Sequence, residues 1–188
     1  GLELSKPTAL VTFHPATREP GSSSDQMREL LAALKSARLQ YIATYPNADA
    51  GSRLIIEAWK NFAKGYPGVK LFSNLGQKRY WSALKYVQLM IGNSSSGLVE
   101  APSFRLPSVN IGGRQQGRLK ARSVFDVPCR QESILKGIKA ALAYDRRVPV
   151  ENPYGDGRAS VRARRFLERT LAKRSRQLLL RKRFVDQP

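Results

Sequence analysis

The chain has 188 residues, of which 41% are hydrophobic and 25% are charged, and its 33 Lys and Arg residues outnumber its 14 Asp and Glu residues. This composition is typical of a soluble globular chain and excludes a collagen-like protein, a coiled-coil rod and a wholly disordered chain. No run approaches the ~18 apolar residues that a membrane span needs. With one cysteine, Cys129, and one histidine, His14, the chain forms neither an internal disulfide nor a Cys/His zinc cage. We therefore expect no metal and a reducing, cytoplasmic compartment.

Six short β-rich segments alternate with segments of helical pattern along the chain. The predicted strands cover residues 9–13, 40–44, 69–72, 88–91, 107–111 and 123–127. Helices are predicted around residues 27–34, 55–62, 77–86, 98–104, 134–142 and 163–171, most of them from apolar residues at i, i+3, i+4 and i+7 spacing. Strands that alternate with helices form βα units. The sequence therefore predicts an α/β fold, a Rossmann-like, doubly wound parallel sheet with helices on both faces.

The residues that follow the strands are the first candidates for a functional site, because ligands of such sheets bind beyond the carboxyl ends of the strands, where the strand order reverses. They are His14, Asn47, Leu75, residues 93–96 and residues 112–115. The imidazole of His14 is suited to donate to a phosphate or to act as an acid, and a purely structural histidine is the alternative. Asn47 and the nearby Asp49 are compatible both with turn formation and with ligand binding.

The strongest local signal is the segment 91–100, Ile-Gly-Asn-Ser-Ser-Ser-Gly-Leu-Val-Glu, whose residues 93–96 we call the serine turn. A strand ends here and a helix begins, so small residues and free N–H groups favour a phosphate. The hydroxyls of Ser94 and Ser95 add donors, and the carboxylate of Glu100 is able to accept hydrogen bonds from two ribose hydroxyls. The alternative is a helix-capping run in which Glu100 merely complements the helix dipole.

A second signal is the segment 112–118, Gly-Gly-Arg-Gln-Gln-Gly-Arg, which we call the arginine loop. The guanidinium of Arg114 or Arg118 suits bidentate contact with a phosphate, and a surface turn with solvated arginines is the alternative. The sequence lacks a P-loop, and no Gly-x-Gly-x-x-Gly turn follows the first strand. Both absences disfavour an ATPase and a dehydrogenase, and we expect no cofactor.

The formal net charge is +19, and its distribution along the chain is uneven. Residues 158–183 include eleven Lys and Arg residues and one acidic residue, Glu168, which gives this segment a net charge of +10. We predict one Rossmann-like domain over residues 1–172 and a basic tail over residues 173–188, of the kind that is often poorly ordered. The tail is suited to non-specific contact with polyanions, so a nucleic-acid-binding module is an alternative function with steeply salt-dependent affinity.

Several short segments resemble a known family in composition and order. They are residues 12–17, 45–52, 91–97, 102–104, 109–112, 114–118 and 152–157. Together they resemble the C-terminal half of hydrolysing UDP-N-acetylglucosamine 2-epimerases of the sialic-acid pathway type, over roughly residues 8 to 170. The non-hydrolysing relatives carry His-Arg-Arg-Glu and Thr-Glu-Arg-Pro where this chain has His-Pro-Ala-Thr and Arg-Gln-Gln-Gly-Arg.

The resemblance implies a GT-B architecture, in which two Rossmann-like domains hold the nucleotide sugar between them. This chain is similar to the UDP-binding domain. By position, the resemblance implies substrate-binding roles for the following residues: Ser94 and Ser95 on the diphosphate, Glu100 on the ribose, the backbone around Leu75 on the uracil, His14 and Arg114 on the phosphates, and Asn47 near the cleft. His14 is also the one catalytic candidate. The implied reaction converts UDP-N-acetylglucosamine and water to N-acetylmannosamine and UDP, by elimination to a glycal and addition of water.

The catalytic carboxylates of that family lie in the first domain, which has no counterpart in this sequence. We therefore expect the chain to bind UDP and UDP-N-acetylglucosamine, to need an N-terminal domain as its partner, and not to turn over alone. A glycosyltransferase-type domain of the same fold is an alternative, which the match of the arginine loop opposes. A homodimer is one assembly that the resemblance allows, and the identity of the 2-acetamido sugar stays open.

Overall fold

The computed structural model describes residues 2–3, 5–16 and 23–173. It divides into two compact units, Gly1–Pro153 and Tyr154–Pro188, of which the first contains the sheet and the second the last helix. The predicted basic tail lies outside the described residues apart from Lys173, so the boundary at residue 172 stays a prediction. In the part of the chain that is described, no helix combines the length and the apolar character that crossing a membrane requires.

The predicted α/β fold is confirmed, and each of the six predicted strands forms within one residue of its expected bounds. The strands are β1 (Thr8–Thr12), β2 (Gln40–Thr44), β3 (Val69–Phe72), β4 (Leu89–Gly92), β5 (Ser108–Ile111) and β6 (Val124–Val127). The helices are α1 (Ser23–Ala37), α2 (Ser52–Gly65), α3 (Gly76–Tyr86), α4 (Ser96–Val99), α5 (Gln131–Leu142) and α6 (Ala159–Lys173), with a 3-10 helix over Ala101–Phe104.

All six strands form one sheet in the order β3-β2-β1-β4-β5-β6, and every neighbouring pair is parallel. Strands β1 to β3 therefore run from the centre of the sheet to one edge, and strands β4 to β6 run from the centre to the other edge. The strand order reverses between β1 and β4, and their carboxyl ends flank the crevice in which such sheets bind ligands. His14 and the serine turn follow these two strands directly.

The two faces of the sheet carry separate apolar cores. Successive residues of β1 alternate between them, because side chains of a strand point to opposite faces: Ala9 and Val11 join one core, and Leu10 joins the other. Helices α1, α2 and α5 cover the first core, and α3 with the 3-10 helix covers the second. Helices thus pack on both faces, as the sequence predicts.

The helix predicted over residues 98–104 is interrupted. The α-helical part ends at Val99, and a 3-10 helix follows from Ala101. Pro102 explains the break, because it has no N–H to donate to the carbonyl one turn earlier, so the backbone continues in the tighter 3-10 form. The Ser103 N–H then donates to the Glu100 carbonyl at 3.0 Å. Glu100 therefore lies at the joint between two short helices and not within a continuous one.

In the second unit, α6 follows a turn that Asp156 closes. Its carboxylate accepts hydrogen bonds from the backbone N–H of Arg158 at 3.0 Å and from the Arg162 guanidinium at 2.8 Å. These contacts satisfy donors at the start of the helix, where the backbone lacks partners of its own.

The close approach of β1 and β4 depends on Gly92. Its φ of 139° is a conformation that L side chains rarely adopt, and a Cβ atom there would lie 1.9 Å from the Thr12 carbonyl oxygen. No side chain fits at that distance without separating the two strands. Glycine at position 92 therefore allows the serine turn to lie directly beside the end of β1.

We expect Gly92→Ala to lower the free energy of unfolding by about 3 kcal/mol or more, because the added methyl collides with backbone and the φ value is strained. Urea denaturation followed by circular dichroism measures the change. The matched control is Gly65→Ala, since Gly65 ends α2 and a Cβ there would meet no atom within 4 Å. We expect that control to be neutral or to stabilise by up to about 1 kcal/mol. Equal effects of the two substitutions would contradict this account of Gly92.

Candidate functional site

The side chain of Asn93 joins the serine turn to the end of β1. Its Oδ1 accepts from the His14 backbone N–H at 2.7 Å, and its Nδ2 donates to the His14 carbonyl at 2.8 Å. Its own backbone N–H donates to the Thr12 carbonyl at 3.3 Å. Asn93 is 1% exposed, so these are bonds that water does not replace. The backbone at His14 is therefore fixed relative to the serine turn.

The arginine loop is held to the same residue. The Asn93 carbonyl accepts from Arg114 Nη1 at 3.1 Å and from Gln115 Nε2 at 2.8 Å. The Gln115 side chain is buried, whereas Arg114 is exposed and uses only one of its five N–H donors on Asn93. The guanidinium is thus bonded to the first residue of the serine turn and has N–H donors left for a ligand.

His14 lies between these groups and the segment that follows β2. Its Nδ1 is 3.1 Å from the backbone nitrogen of Asn47 and 3.0 Å from Asn47 Oδ1. In the neutral ring Nδ1 accepts from the Asn47 N–H, and Nε2 carries the proton; in the charged ring Nδ1 donates to Oδ1. Asn47 Nδ2 donates in turn to Asp49 Oδ2 at 2.6 Å.

Burial lowers the pKa of His14 below its ordinary value, and the Arg114 cation lowers it further. The hydrogen bond with Asn47 and the negative charge of Asp49 act in the opposite direction. The net effect favours the neutral ring near pH 7, in which Nε2–H is a donor. Among the described residues nothing accepts from it, so this donor is open to a ligand.

The serine turn offers further donors. The backbone N–H groups of Ser94 and Ser95 and the Ser95 hydroxyl have no partner within the described part of the chain. The Ser94 hydroxyl oxygen accepts from the Ser96 N–H at 3.3 Å, which leaves its own proton available. Because α4 has only four residues, the helix dipole adds little, and these individual donors are what the turn presents to an anion.

Helix α3 contacts both ends of α4 through two consecutive residues. The Tyr80 hydroxyl donates to Ser96 Oγ at 2.9 Å, and Trp81 Nε1 donates to Glu100 Oε1 at 2.8 Å. The second carboxylate oxygen of Glu100 has no partner within residues 2–3, 5–16 and 23–173. Leu75 precedes α3, and its partly buried side chain packs against the core beneath α3.

The structure therefore brings His14, Asn47, Arg114 and the serine turn together at the point where strand order reverses. Glu100 and Leu75 lie at the α3 side of the same turn, and their binding roles stay predictions, as do those of the first group. Sequence reasoning did not find the joining role of Asn93 or the contacts of Tyr80 and Trp81. Groups of three or more His, Cys, Asp or Glu side chains suited to a metal ion are absent from the described residues.

The sheet order defines the class: a Rossmann-like domain. Its fold matches one half of solved proteins of GT-B architecture, in one case at a TM-score of 0.71 over 48% of that chain. A family model described as UDP-N-acetylglucosamine 2-epimerase matches residues 2–168. The chain belongs to this family.

Relatives and solved structures agree with this assignment. The chain is 34% identical over 168 residues to a Legionella pneumophila UDP-N,N'-diacetylbacillosamine 2-epimerase (hydrolyzing), covering 89% of this chain and 44% of the relative. It is 41% identical over 129 residues to a Campylobacter jejuni GDP/UDP-N,N'-diacetylbacillosamine 2-epimerase (hydrolyzing), covering 66% of this chain and 33% of the relative. Methanocaldococcus jannaschii UDP-GlcNAc 2-epimerase, solved with UDP-GlcNAc and UDP, shares the fold at a TM-score of 0.65 and 16% identity, covering 88% of this chain and 46% of that one. The chain thus spans less than half the length of each.

We expect the imidazole of His14 to titrate below pH 6.5, because its burial and Arg114 both oppose the charged form. His14 is the single histidine, so one resonance in a proton NMR titration reports it. Arg114→Gln should raise the midpoint, and Arg118→Gln in the same loop should leave it unchanged. Since the pKa is lower in the folded than in the unfolded chain, the contribution of His14 to stability falls as the pH drops below 6.5. A wild-type midpoint at or above 6.5 would show that this environment is described wrongly.

Proposed function

We propose that this chain supplies the UDP-binding half of a hydrolysing 2-epimerase that acts on a UDP-linked 2-acetamido sugar. The observation that carries the proposal is the convergence of His14, Arg114 and the serine turn on Asn93, at the ligand-binding edge of a sheet whose chain belongs to this family. Open hydrogen-bond donors of three kinds belong to residues that are bonded to Asn93 or follow it in the chain: imidazole, guanidinium, and backbone N–H with hydroxyl.

In this proposal the diphosphate takes the donors that the protein leaves open. The N–H groups of Ser94 and Ser95 and their hydroxyls bind phosphate oxygens, and the spare guanidinium donors of Arg114 supply the positive charge. The neutral ring of His14 donates from Nε2, and Asn47 fixes its orientation. Since Asn93 fixes the backbone beneath these groups, little reorganisation accompanies binding.

The nucleoside takes the α3 side of the turn. The free carboxylate oxygen of Glu100 accepts from the ribose hydroxyls, and backbone groups near Leu75 meet the uracil edge. Glu100 lies at the break between α4 and the 3-10 helix, directly after the segment that begins with the serine turn. One short segment thereby contacts both the diphosphate and the ribose.

In the reaction we propose, UDP leaves from C1 as the proton at C2 is removed, and a glycal forms. Water then adds across the double bond with inversion at C2 and gives the 2-epimeric free sugar and UDP. The part of this chain is to bind the leaving UDP, whose developing negative charge the Arg114 guanidinium and the Nε2–H of His14 stabilise. The groups that move protons at C2 belong, in this proposal, to the region of the longer relatives that this chain does not match.

The sugar is either N-acetylglucosamine or the related 2-acetamido sugar N,N'-diacetylbacillosamine. The second candidate has support of its own, because two relatives at 34% and 41% identity are named for it. A cytoplasmic setting fits the single cysteine, Cys129, which forms no disulfide.

Calorimetric titration with UDP tests the proposal. We expect saturable binding, weakened about tenfold or more by Arg114→Gln and by Glu100→Gln, since each removes hydrogen bonds to a charged group. Ser95→Ala, which removes a neutral donor, should weaken binding by a smaller factor. The matched control Arg118→Gln changes the charge of the same loop equally and should leave the affinity within a factor of two.

Two results would contradict this proposal. One is the absence of UDP binding by the wild-type chain, above all if a DNA duplex binds with steep salt dependence, because that favours the nucleic-acid alternative. The other is binding of UDP without any shift of the His14 resonance, since the negative charges of a bound diphosphate must raise the pKa of an imidazole beside them.

Turnover by this chain alone is expected to be absent. Release of UDP from UDP-N-acetylglucosamine and from UDP-N,N'-diacetylbacillosamine, followed by chromatography, should not exceed the uncatalysed rate. Half of a cleft excludes no water from the sugar, and the proton-transfer groups lie elsewhere in this proposal. Rapid formation of a free 2-epimeric sugar by the purified chain would show that the assignment of those groups is wrong.

A further inference from the structure

We propose that Trp81 is a positioning residue for the ribose: its indole N–H holds the Glu100 carboxylate in the orientation that accepts the ribose hydroxyls. The inference rests on the proposed function, because it assumes that Glu100 meets the ribose of UDP. It adds a residue from a different helix, which the sequence pattern around the serine turn does not contain.

The contact itself is specific. Trp81 Nε1 lies 2.8 Å from Glu100 Oε1 and 19 residues away along the chain, so local geometry does not enforce it. An indole N–H is a donor only, and one carboxylate oxygen is left without a partner among the described residues. The bond therefore fixes the carboxylate and still leaves an oxygen to accept from a ligand.

The neighbouring residue makes the indole a fixed donor. Tyr80, adjacent on α3, donates its hydroxyl to Ser96 Oγ at 2.9 Å, and Leu84, one turn later, is fully buried. Helix α3 is thus attached to the first residue of α4 by Tyr80 and to the residue after its end by Trp81. The two bonds set the position of Glu100 relative to the serine turn.

The choice of a neutral donor has a consequence for charge. The chain carries 33 Lys and Arg residues, yet none of the six ion pairs between described residues involves Glu100. A lysine or arginine in place of Trp81 would neutralise the carboxylate and compete with the ribose hydroxyls. The indole orients Glu100 and keeps its negative charge available to donors.

The side chain of glutamate has three rotatable bonds, so an unrestrained Glu100 would lose rotamer freedom when UDP binds. Trp81 restrains it before the ligand arrives. Removing the indole N–H should therefore weaken UDP binding, by about threefold to tenfold, and should do so through the ribose contact and not through the diphosphate.

The experiment compares UDP with 2'-deoxy-UDP by calorimetry, in the wild-type chain, Trp81→Phe, Glu100→Gln and Tyr86→Phe. The wild type should prefer UDP by about tenfold or more, since the hydroxyl donates to a charged acceptor. Both Trp81→Phe and Glu100→Gln should reduce the preference to about threefold or less. Tyr86→Phe, on the same helix and 72% exposed, should keep it. A loss of packing alone would weaken both ligands equally and leave their ratio unchanged.

The outcomes separate the two proposals. No UDP binding by the wild type defeats the proposed function, and full preference in Glu100→Gln defeats the ribose role of Glu100. If Glu100→Gln loses the preference for UDP over 2'-deoxy-UDP as expected and Trp81→Phe keeps it, only the inference about Trp81 is overturned.

A second measurement does not depend on the folding of Trp81→Phe. The wild-type chain has two tryptophans, Trp81, which is 44% exposed, and Trp59, which is fully buried, so their indole resonances report different surroundings. Glu100→Gln should shift the NMR resonance of the Trp81 indole and leave the one of Trp59 in place. An unshifted Trp81 resonance would also overturn the inference.

Discussion

The buried amide of Asn93 is the constraint on which the candidate site depends. It bonds both backbone groups of His14, and the carbonyl of the same residue accepts from Arg114 and Gln115. Three segments that lie far apart in the chain thus share one residue with 1% exposure. Breaking one of these bonds would leave a buried polar group without its partner, which costs a desolvation penalty. The bonds that Asn93 makes therefore fix the backbone and side chains that carry the open donors of the site.

A second set of hydrogen bonds, from α3, supports the site in addition to those of Asn93. Tyr80 and Trp81 contact the beginning and the end of α4, and neither bond passes through Asn93. In the function we propose, phosphate recognition and nucleoside recognition are therefore supported by different elements, although both use the segment between β4 and β5. The proposal thus gives the affinity for the diphosphate and the selectivity for the ribose separate structural sources.

The sequence was sufficient for the fold and for naming residues that meet at the candidate site. Short β-rich runs between helical patterns predicted all six strands, and the rule that ligands bind beyond the carboxyl ends of strands selected His14, Arg114 and the serine turn. It was insufficient for the contacts that support them. The bonds between His14 and Asn93 join residues 79 positions apart, and a propensity or spacing argument carries no information on such pairs. The interrupted helix was more accessible, because Pro102 is visible in the sequence and marks where an α-helical ladder stops.

The contact at Gly92 has an evolutionary consequence. The atom that a side chain there would strike is the Thr12 carbonyl oxygen, and every amino acid at position 12 carries the same oxygen. A clash between two side chains can be relieved by substituting a smaller residue for one of them. A clash with a main-chain atom has no such compensating substitution. A side chain at position 92 therefore meets the same obstacle whichever residue occupies position 12.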